Sequence, residues 1–365
     1  MTVVIAAGGT GGHLYPGVAL AREFLRRDAS TCVRFVGTSR GIEVKVLPHE
    51  GFPLDVINAL PVMGLRAAHA LLALARLPRA VQQAVTLLRR HGADLVIGIG
   101  GYTSPPVLVA AFLLKIPRVI LEPNAYPGMA NKAMAPLAHR VFVAFQSAAP
   151  HFAPRKVRAF GTPVRRAFLE PSDSSPQNQG DQRRLLVFGG SRGAHAVNLA
   201  MMESLPYLRS SDVMARWSII HQTGEADYER VKSVYEASGL AAEVVTFVFD
   251  MPNVLRSADL VVARAGAVTL AELTACGKPS ILIPFPHAIY QHQAHNAREL
   301  EEAGAAIVIS QHELSGARLA DVLGRLLRDP DRLASMGERS RALGRRDSAE
   351  AIVDECLALL GERRS

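Results

Sequence analysis

Residues 2–13 read TVVIAAGGTGGH. Val3, Val4 and Ile5 are β-branched, the composition of a buried strand, and the run ends at a glycine cluster. Pro16 follows in what reads as the first turn of a helix, where its missing N–H leaves no bond unmade. Val18, Ala21 and Leu25 then recur along one helical face. Strand, glycine loop and helix in succession predict the opening of a Rossmann-like α/β unit. Residues 183–194, RRLLVFGGSRGA, repeat the device near the middle of the chain.

A second correspondence supports the first. Ala93-Asp94-Leu95-Val96 leads into a strand, a glycine loop, a helix and KIPRVILEPN at 115–124. Ala258-Asp259-Leu260-Val261 leads into a strand, the loop RAGAVT, a helix and GKPSILIPFP at 277–286. Asp94 and Asp259 are separated by nearly the same span as Pro117 and Pro279. Two matches in one order predict two domains, each with a buried parallel sheet and right-handed crossovers. The polar, proline-bearing stretch EPSDSSPQNQGDQR at 170–183 reads as a linker or exposed loop at the join. At the far end Asp347 reads as an N-cap with Glu350 completing a capping box. Ala349, Ile352, Val353, Cys356, Leu357 and Leu360 form one apolar stripe on the helix that follows. The boundaries are therefore residues 1–163 and 164–345, with a C-terminal helix within 346–365.

Composition narrows the function. A chain of 365 residues can bury two separate cores. A hydrophobic share of 49% with 20% charged residues excludes disorder as the main theme. The net charge of +8 suits nucleic acid, an anionic membrane or phosphorylated substrates, and equally a solvated basic surface. Cys32, Cys276 and Cys356 lack metal or disulfide spacing, and the first residues lack the features of a signal peptide. Both predict a reducing cytoplasm. The longest uncharged run, 95–114, has the roughly 20 residues of a membrane span. Its centre, GIGGYTSPP, breaks any such helix.

A glycine loop between strand and helix lets backbone N–H groups approach an anion, and the helix N-terminus adds about half a positive charge. That combination suits a diphosphate. The dinucleotide fingerprint fails: Leu14 stands at its third glycine, and the second strand, VRFVG at 33–37, ends without an acid for a ribose. Ligands of open α/β sheets bind outside the carboxyl ends of the strands. Two such domains predict a ligand, or two, between facing edges.

Eight motifs then appear in order: GGTGGH (8–13), GGYTSPP (100–106), PNAYPGMANK (123–132), GTPVR (161–165), GGSRGA (189–194), RAGAVTLAE (264–272), PFPHAIYQHQAHNA (284–297) and GAA (304–306). Together they span nearly the whole chain and resemble glycosyltransferase family 28. Within it they resemble the UDP-N-acetylglucosamine:undecaprenyl-pyrophosphoryl-muramoyl-pentapeptide N-acetylglucosaminyltransferases. The resemblance implies an α/β glycosyltransferase B fold, two Rossmann-like domains facing a central cleft. The N-terminal domain would bind the acceptor and the membrane, the C-terminal domain UDP-GlcNAc, and the last helix would pack back on the N-terminal domain. It implies inverting transfer of GlcNAc from UDP-GlcNAc to the MurNAc 4-hydroxyl of undecaprenyl-linked lipid I, giving lipid II. The place would be an anionic membrane surface, at the cytoplasmic face of the bacterial inner membrane, with the enzyme peripheral. No nucleic acid, cofactor or metal is implied. Asp329-Pro330-Asp331, the one D-x-D string, reads as a helix cap.

The resemblance also implies site residues. His13 is a candidate general base, its pKa class suiting that work; a phosphate contact or a helix cap is the other reading. Thr10, Gly11 and Gly12 would contact the donor sugar. Asn124 would do so too, in a setting where Leu121-Glu122-Pro123-Asn124 replaces the usual His-Glu-Gln-Asn; otherwise it is a turn residue. Gly100, Gly101, Tyr102, Thr103 and Ser104 would present the acceptor, together with Gly8–His13. Ser191, with the 189–194 loop, would hold the diphosphate and Arg165 the donor, unless they serve as a cap or a surface ion pair. Val248 would pack on uracil, with Ala267, Val268, Thr269, Leu270 and Ala271 under the donor. Glu272 would accept both ribose hydroxyls, and Gln293 would contact the sugar, with His292 beside it a less close match. Residues 65–88 mix Leu65, Leu71, Leu72, Leu74 and Leu77 with Arg66, Arg76 and Arg79, followed by Arg89 and Arg90. They read as an anionic membrane contact or as core helices. Alternatives are a UDP-GlcNAc 2-epimerase, another UDP-sugar glycosyltransferase of this fold, or a UDP-sugar-binding regulator without catalysis.

Overall fold

The alternating apolar strands and amphipathic helices resolve into two parallel sheets in a computed structural model, which describes residues 1–39, 41–60, 67–170, 182–190, 193–210 and 212–362. Two units carry them. Unit 1 comprises Met1–Arg165 with Arg345–Ser365, and unit 2 comprises Arg166–Gly344.

Unit 1 runs β1 (Thr2–Ala6), α1 (Gly11–Arg27), β2 (Cys32–Gly37), α2 (Glu43–His49), β3 (Leu54–Val56), α3 (Ala67–His91), β4 (Leu95–Gly98), α4 (Ser104–Leu113), β5 (Arg118–Glu122), α5 (Met129–Met134), β6 (Arg140–Val143) and β7 (Val157–Ala159). Its strand order is β3-β2-β1-β4-β5-β6-β7, with every pairing parallel. Unit 2 runs β8 (Arg183–Phe188), α6 (His195–Arg209), β9 (Trp217–Gln222), α7 (Tyr228–Ser238), β10 (Ala242–Val245), α8 (Met251–Ser257), β11 (Leu260–Ala263), α9 (Ala267–Cys276), β12 (Ser280–Leu282), α10 (His292–Glu302), β13 (Ala306–Val308), α11 (Gly316–Leu327) and α12 (Pro330–Leu343). The order there is β10-β9-β8-β11-β12-β13, again parallel. The chain then returns to unit 1 as α13 (Ser348–Gly361).

Both sheets are covered on two faces, as parallel sheets require. In unit 1 one layer packs Ile5, Leu14, Phe24, Phe35 and Ile97 against Ile352, Val353 and Cys356 of α13. The other packs Val4 and Val96 against Val107, Leu108, Ala84 and Leu88. The stripe read for the last helix is the face it buries, and Ala349, Leu357 and Leu360 flank it. Burial pushes the Cys356 thiol pKa up. Ion pairs line the seam, Arg27 to Asp354 at 2.9 Å and Arg140 to Glu355 at 2.6 Å. In unit 2, Leu185, Val187, Trp217 and Val262 pack with Met201 and Leu205 of α6 and Leu319 and Leu323 of α11.

Local readings need three corrections. The helix after the first glycines starts at Gly11, inside the cluster, so Pro16 sits in its second turn and has no N–H for the Gly12 carbonyl. The capping box at Asp347 does not form: with φ −89° and ψ 1° the Asp347 side chain accepts no cap bond, and Glu350 pairs with Arg26 at 3.3 Å. The 65–88 region divides. Ala80, Ala84 and Leu88 are core, whereas Arg76, Leu77 and Arg79 are exposed. Leu65 and Arg66, and the side chains of Leu71, Leu72 and Leu74, lie outside the described part of the structure. Among the described residues no helix is long and apolar enough to cross a membrane. Asp329 caps α12, accepting the Arg332 N–H at 2.9 Å.

Candidate active site

In each sheet the sequence order reverses at the central pair, β1 beside β4 and β8 beside β11. Loops leaving the carboxyl ends of such a pair diverge and open a crevice, the usual ligand position in this architecture. Register makes the ends level: Ala6 lies opposite Gly98, and Ala263 opposite Phe188. The glycine loops identified in the sequence are the four that leave these ends.

In unit 1 the Thr10 carbonyl accepts the N–H groups of His13 and Leu14, both at 3.2 Å. The Thr10 hydroxyl meets His13 Nδ1 at 3.0 Å. The imidazole lies against the second loop, since a Cβ on Gly100 would stand 3.2 Å from His13 Cδ2 and Nε2. Gly100 has φ 108° and Gly101 φ 70°, which bring the chain back so closely that a Cβ on Gly101 would be 2.8 Å from the Gly8 carbonyl oxygen. His13 is thus wedged between the loops, and Gly11 and Gly12 form the first residues of α1 beside it. Of the expected acceptor residues, Gly101 and Tyr102 keep partial exposure. Thr103 and Ser104 are fully buried and shape the loop. The Ser104 hydroxyl accepts the Gly100 N–H at 2.9 Å and lies 2.9 Å from the Ala6 carbonyl, tying the two strand ends together.

Asn124 follows β5. Its main-chain N–H and its Nδ2 donate to Glu122 Oε1 at 3.0 and 3.1 Å. Glu122 Oε2 accepts the Gly128 N–H and Asn131 Nδ2, each at 2.9 Å. Pro123 does not prevent this turn. Asn131 Nδ2 in turn stands 3.4 Å from the Cβ position of Gly100, so Glu122, Asn131, Gly100 and His13 are contiguous. Burial drives the Glu122 carboxyl pKa up, although these four donors oppose it. The Arg165 guanidinium lies over the Tyr15 ring, 4.6 Å from its centroid, beside the first turn of α1.

In unit 2 the loop after β8 carries Gly190 at φ 99° and Gly193 at φ 75°. Ser191 falls outside the described residues. Gln222, buried at the end of β9, donates Nε2 to the Gly190 carbonyl at 2.7 Å and accepts the Val248 N–H at 3.3 Å. One amide therefore joins the expected diphosphate loop to the expected uracil position. Val248 itself is only 8% exposed, while its neighbour Phe249 is 90% exposed. Past β11, Gly266 is extended at the head of α9. Ala267 and Leu270 are buried there, Val268, Thr269 and Ala271 are partly exposed, and Glu272 lies in the second turn, 8% exposed. Arg264 pins this loop, donating Nη1 to the Ile283 carbonyl at 3.1 Å and Nη2 to Gln311 Oε1 at 2.7 Å. Desolvation lowers its pKa to about 10. Gln293 Oε1 accepts the Phe285 N–H at 2.9 Å. His292 opens α10 next to Tyr290 and Gln291, two non-glycine residues at φ 54° and 51°. Such strained residues cluster at ligand sites. Among the described residues no group of three or more His, Cys, Asp or Glu side chains could hold a metal ion.

Sequence reasoning missed Glu43, Asn131 and Gln222, and quoted Glu122 only as context for Asn124. Glu43 reads as an ordinary acidic residue in a first helical turn. In the fold it is fully buried and accepts the N–H groups of Gly9 and Thr38 at 3.0 and 2.9 Å.

Comparison with known proteins bears on both units. Residues 3–143 match the glycosyltransferase family 28 N-terminal domain and residues 184–352 its C-terminal domain. The chain is 48% identical to the UDP-N-acetylglucosamine–N-acetylmuramyl-(pentapeptide) pyrophosphoryl-undecaprenol N-acetylglucosamine transferase of Geobacter metallireducens, over 98% of each chain. It is similar to the crystal structure of Acinetobacter baumannii MurG, with a TM-score of 0.79 and 27% identity, covering 98% of this chain and 99% of that one. The UDP-GlcNAc 2-epimerase from Neisseria meningitidis, bound to UDP-GlcNAc, gives a TM-score of 0.68 at 15% identity, covering 98% of this chain and 100% of that one. That last likeness is one of fold alone.

Proposed function

Since the chain belongs to glycosyltransferase family 28, we propose that it transfers N-acetylglucosamine from UDP-N-acetylglucosamine to the 4-hydroxyl of the N-acetylmuramyl residue in pyrophosphoryl-undecaprenol-linked N-acetylmuramyl-pentapeptide, the step that forms lipid II in peptidoglycan synthesis. The observation that carries the reading is His13, held by Thr10 and wedged against Gly100 at the switch point of unit 1. An imidazole there takes the proton as the acceptor oxygen attacks the anomeric carbon. UDP leaves from the opposite face of the sugar, so the configuration inverts. The negative charge growing on the diphosphate falls to the N–H groups of the 189–194 loop and the N-terminus of α6. Glu272, in the second turn of α9, offers two acceptor oxygens to the ribose. Asn124, Arg165, Gln293 and Val248 complete the proposed donor contacts. On this reading neither a cofactor nor a divalent cation is needed, because amides and a helix terminus meet the leaving-group charge.

We assign the enzyme to the cytoplasmic face of the plasma membrane as a peripheral protein. Arg76, Leu77 and Arg79 on α3 are exposed, and so are Phe112, Leu113 and Lys115 at the end of α4, which packs along α3. Apolar tips beside cations suit an anionic leaflet.

The test incubates the protein with labelled UDP-GlcNAc, with and without a lipid I analogue, in the presence and absence of EDTA. Label reaching the analogue with EDTA present is the expected outcome. Isomerised UDP-sugar without acceptor would replace the reading with an epimerase, and binding alone with a regulator.

A further inference from the structure

We propose that Glu43 is a positioning residue for the reaction, holding the first glycine loop so that Thr10 and His13 stand where the acceptor hydroxyl arrives. The role rests on the transfer reading given above. Glu43 opens α2 and is fully buried. Its Oε2 accepts the Gly9 N–H at 3.0 Å, one residue before Thr10. Its Oε1 accepts the Thr38 N–H at 2.9 Å and the Thr38 hydroxyl at 3.1 Å. That hydroxyl lies 3.3 Å from the Tyr102 hydroxyl, so the same carboxylate reaches the second loop through Thr38.

Three glycines clear its place. A Cβ on Gly8, Gly37 or Gly41 would come within 2.9, 2.7 or 1.9 Å of the Glu43 side chain. The arrangement demands a carboxylate specifically. Both of its oxygens accept and neither donates, whereas a carboxamide has one accepting atom and would set its NH₂ against the N–H of either Gly9 or Thr38. Shape is nearly preserved in that exchange, so the loop position changes while the fold stays.

The experiment measures initial rates against UDP-GlcNAc and a soluble lipid I analogue for the unsubstituted protein, Glu43→Gln, Glu43→Ala, Gly41→Ala and the double variant Gly41→Ala/Glu43→Ala. Calorimetric UDP binding, thermal melts and the nuclear magnetic resonance signal of the His13 imidazole accompany them. Glu43→Gln is expected to lower kcat roughly 10- to 100-fold, the loss of a hydrogen bond to a charged group. KM for UDP-GlcNAc should stay within about twofold, and the His13 signal should move without substrate. Gly41→Ala should act as Glu43→Gln does, because its methyl displaces the carboxylate, and should add nothing once residue 43 is alanine. An unchanged kcat and His13 signal in Glu43→Gln overturns the proposal. So does UDP binding weakened as much as the rate, or additivity in the double variant. If the unsubstituted protein transfers nothing yet the His13 signal still moves, the reaction reading fails while the hold of Glu43 on the loop stands.

Discussion

Replacing Gly193 by alanine tests whether the second glycine loop grips the donor. Gly193 has φ 75°, and a Cβ there would lie 1.8 Å from the Thr223 carbonyl oxygen and 2.5 Å from its carbon. Since Cβ contacts below 3.0 Å are essentially never seen, the loop or its neighbour must yield by more than about 1 Å. The neighbour is the firmer side: Thr223 is buried at the end of its sheet, and its carbonyl accepts Asn198 Nδ2 at 2.9 Å. The loop therefore moves, and a misplacement of about 1 Å costs on the order of 100-fold in rate. Gly190→Ala separates collision from strain. Its φ is 99° but nothing lies within 4 Å of the added Cβ. Left-handed backbone strain alone costs roughly 1–2 kcal/mol, equivalent to a fall in Tm of about 2–8 °C for a unit of this size. Both variants should show that fall. Only Gly193→Ala should lose about 100-fold in kcat/KM for UDP-GlcNAc, measured by initial rates at saturating acceptor. A Gly193→Ala enzyme with donor kcat/KM within about threefold of the parent, yet melting like Gly190→Ala, would refute the donor role of this loop.

His13→Ala should lower turnover at least about 100-fold with UDP-GlcNAc binding kept; near-normal turnover removes the base role. His221 is buried between Asn198 and Tyr235, and burial lowers its pKa from 6.5 to about 3. Its contribution is complete above the unfolded value and is lost as pH falls from 6.5 toward 3, because only the unfolded chain then binds the proton. Stability should fall by up to about 1.4 kcal/mol per pH unit in that window. Denaturant melts of His221→Gln should show a shallower slope, and an unchanged slope contradicts the assignment. Binding to anionic liposomes should weaken with added salt; equal cosedimentation with neutral vesicles argues against the basic contribution of Arg76 and Arg79.

Much of this molecule could be read locally. β-branched runs, glycine clusters and apolar stripes are properties of neighbouring residues, so the strands β1 and β8, the loops that follow them and the buried face of α13 were legible. The ordered motifs also singled out His13, Asn124 and Glu272, which stand at the start of α1, just after β5 and on α9. What stayed hidden joins residues far apart in the chain. Glu43 meets Gly9, Asn131 meets Glu122 and the Gly100 loop, and Gln222 meets Gly190 and Val248. Those pairings follow from parallel register, which sets Ala6 beside both Val36 and Gly98, and Gln222 beside both Phe188 and Val245. Cap geometry was hidden too, since the side-chain bond at Asp347 depends on a backbone angle that the Ser/Asp-x-x-Glu pattern does not specify. The sequence by itself determined two parallel α/β units, their glycine loops and their family, because period and residue type carry that information. Tertiary structure alone decided which carboxylates and amides hold the loops, because a buried donor takes the acceptor that the fold brings within about 3 Å.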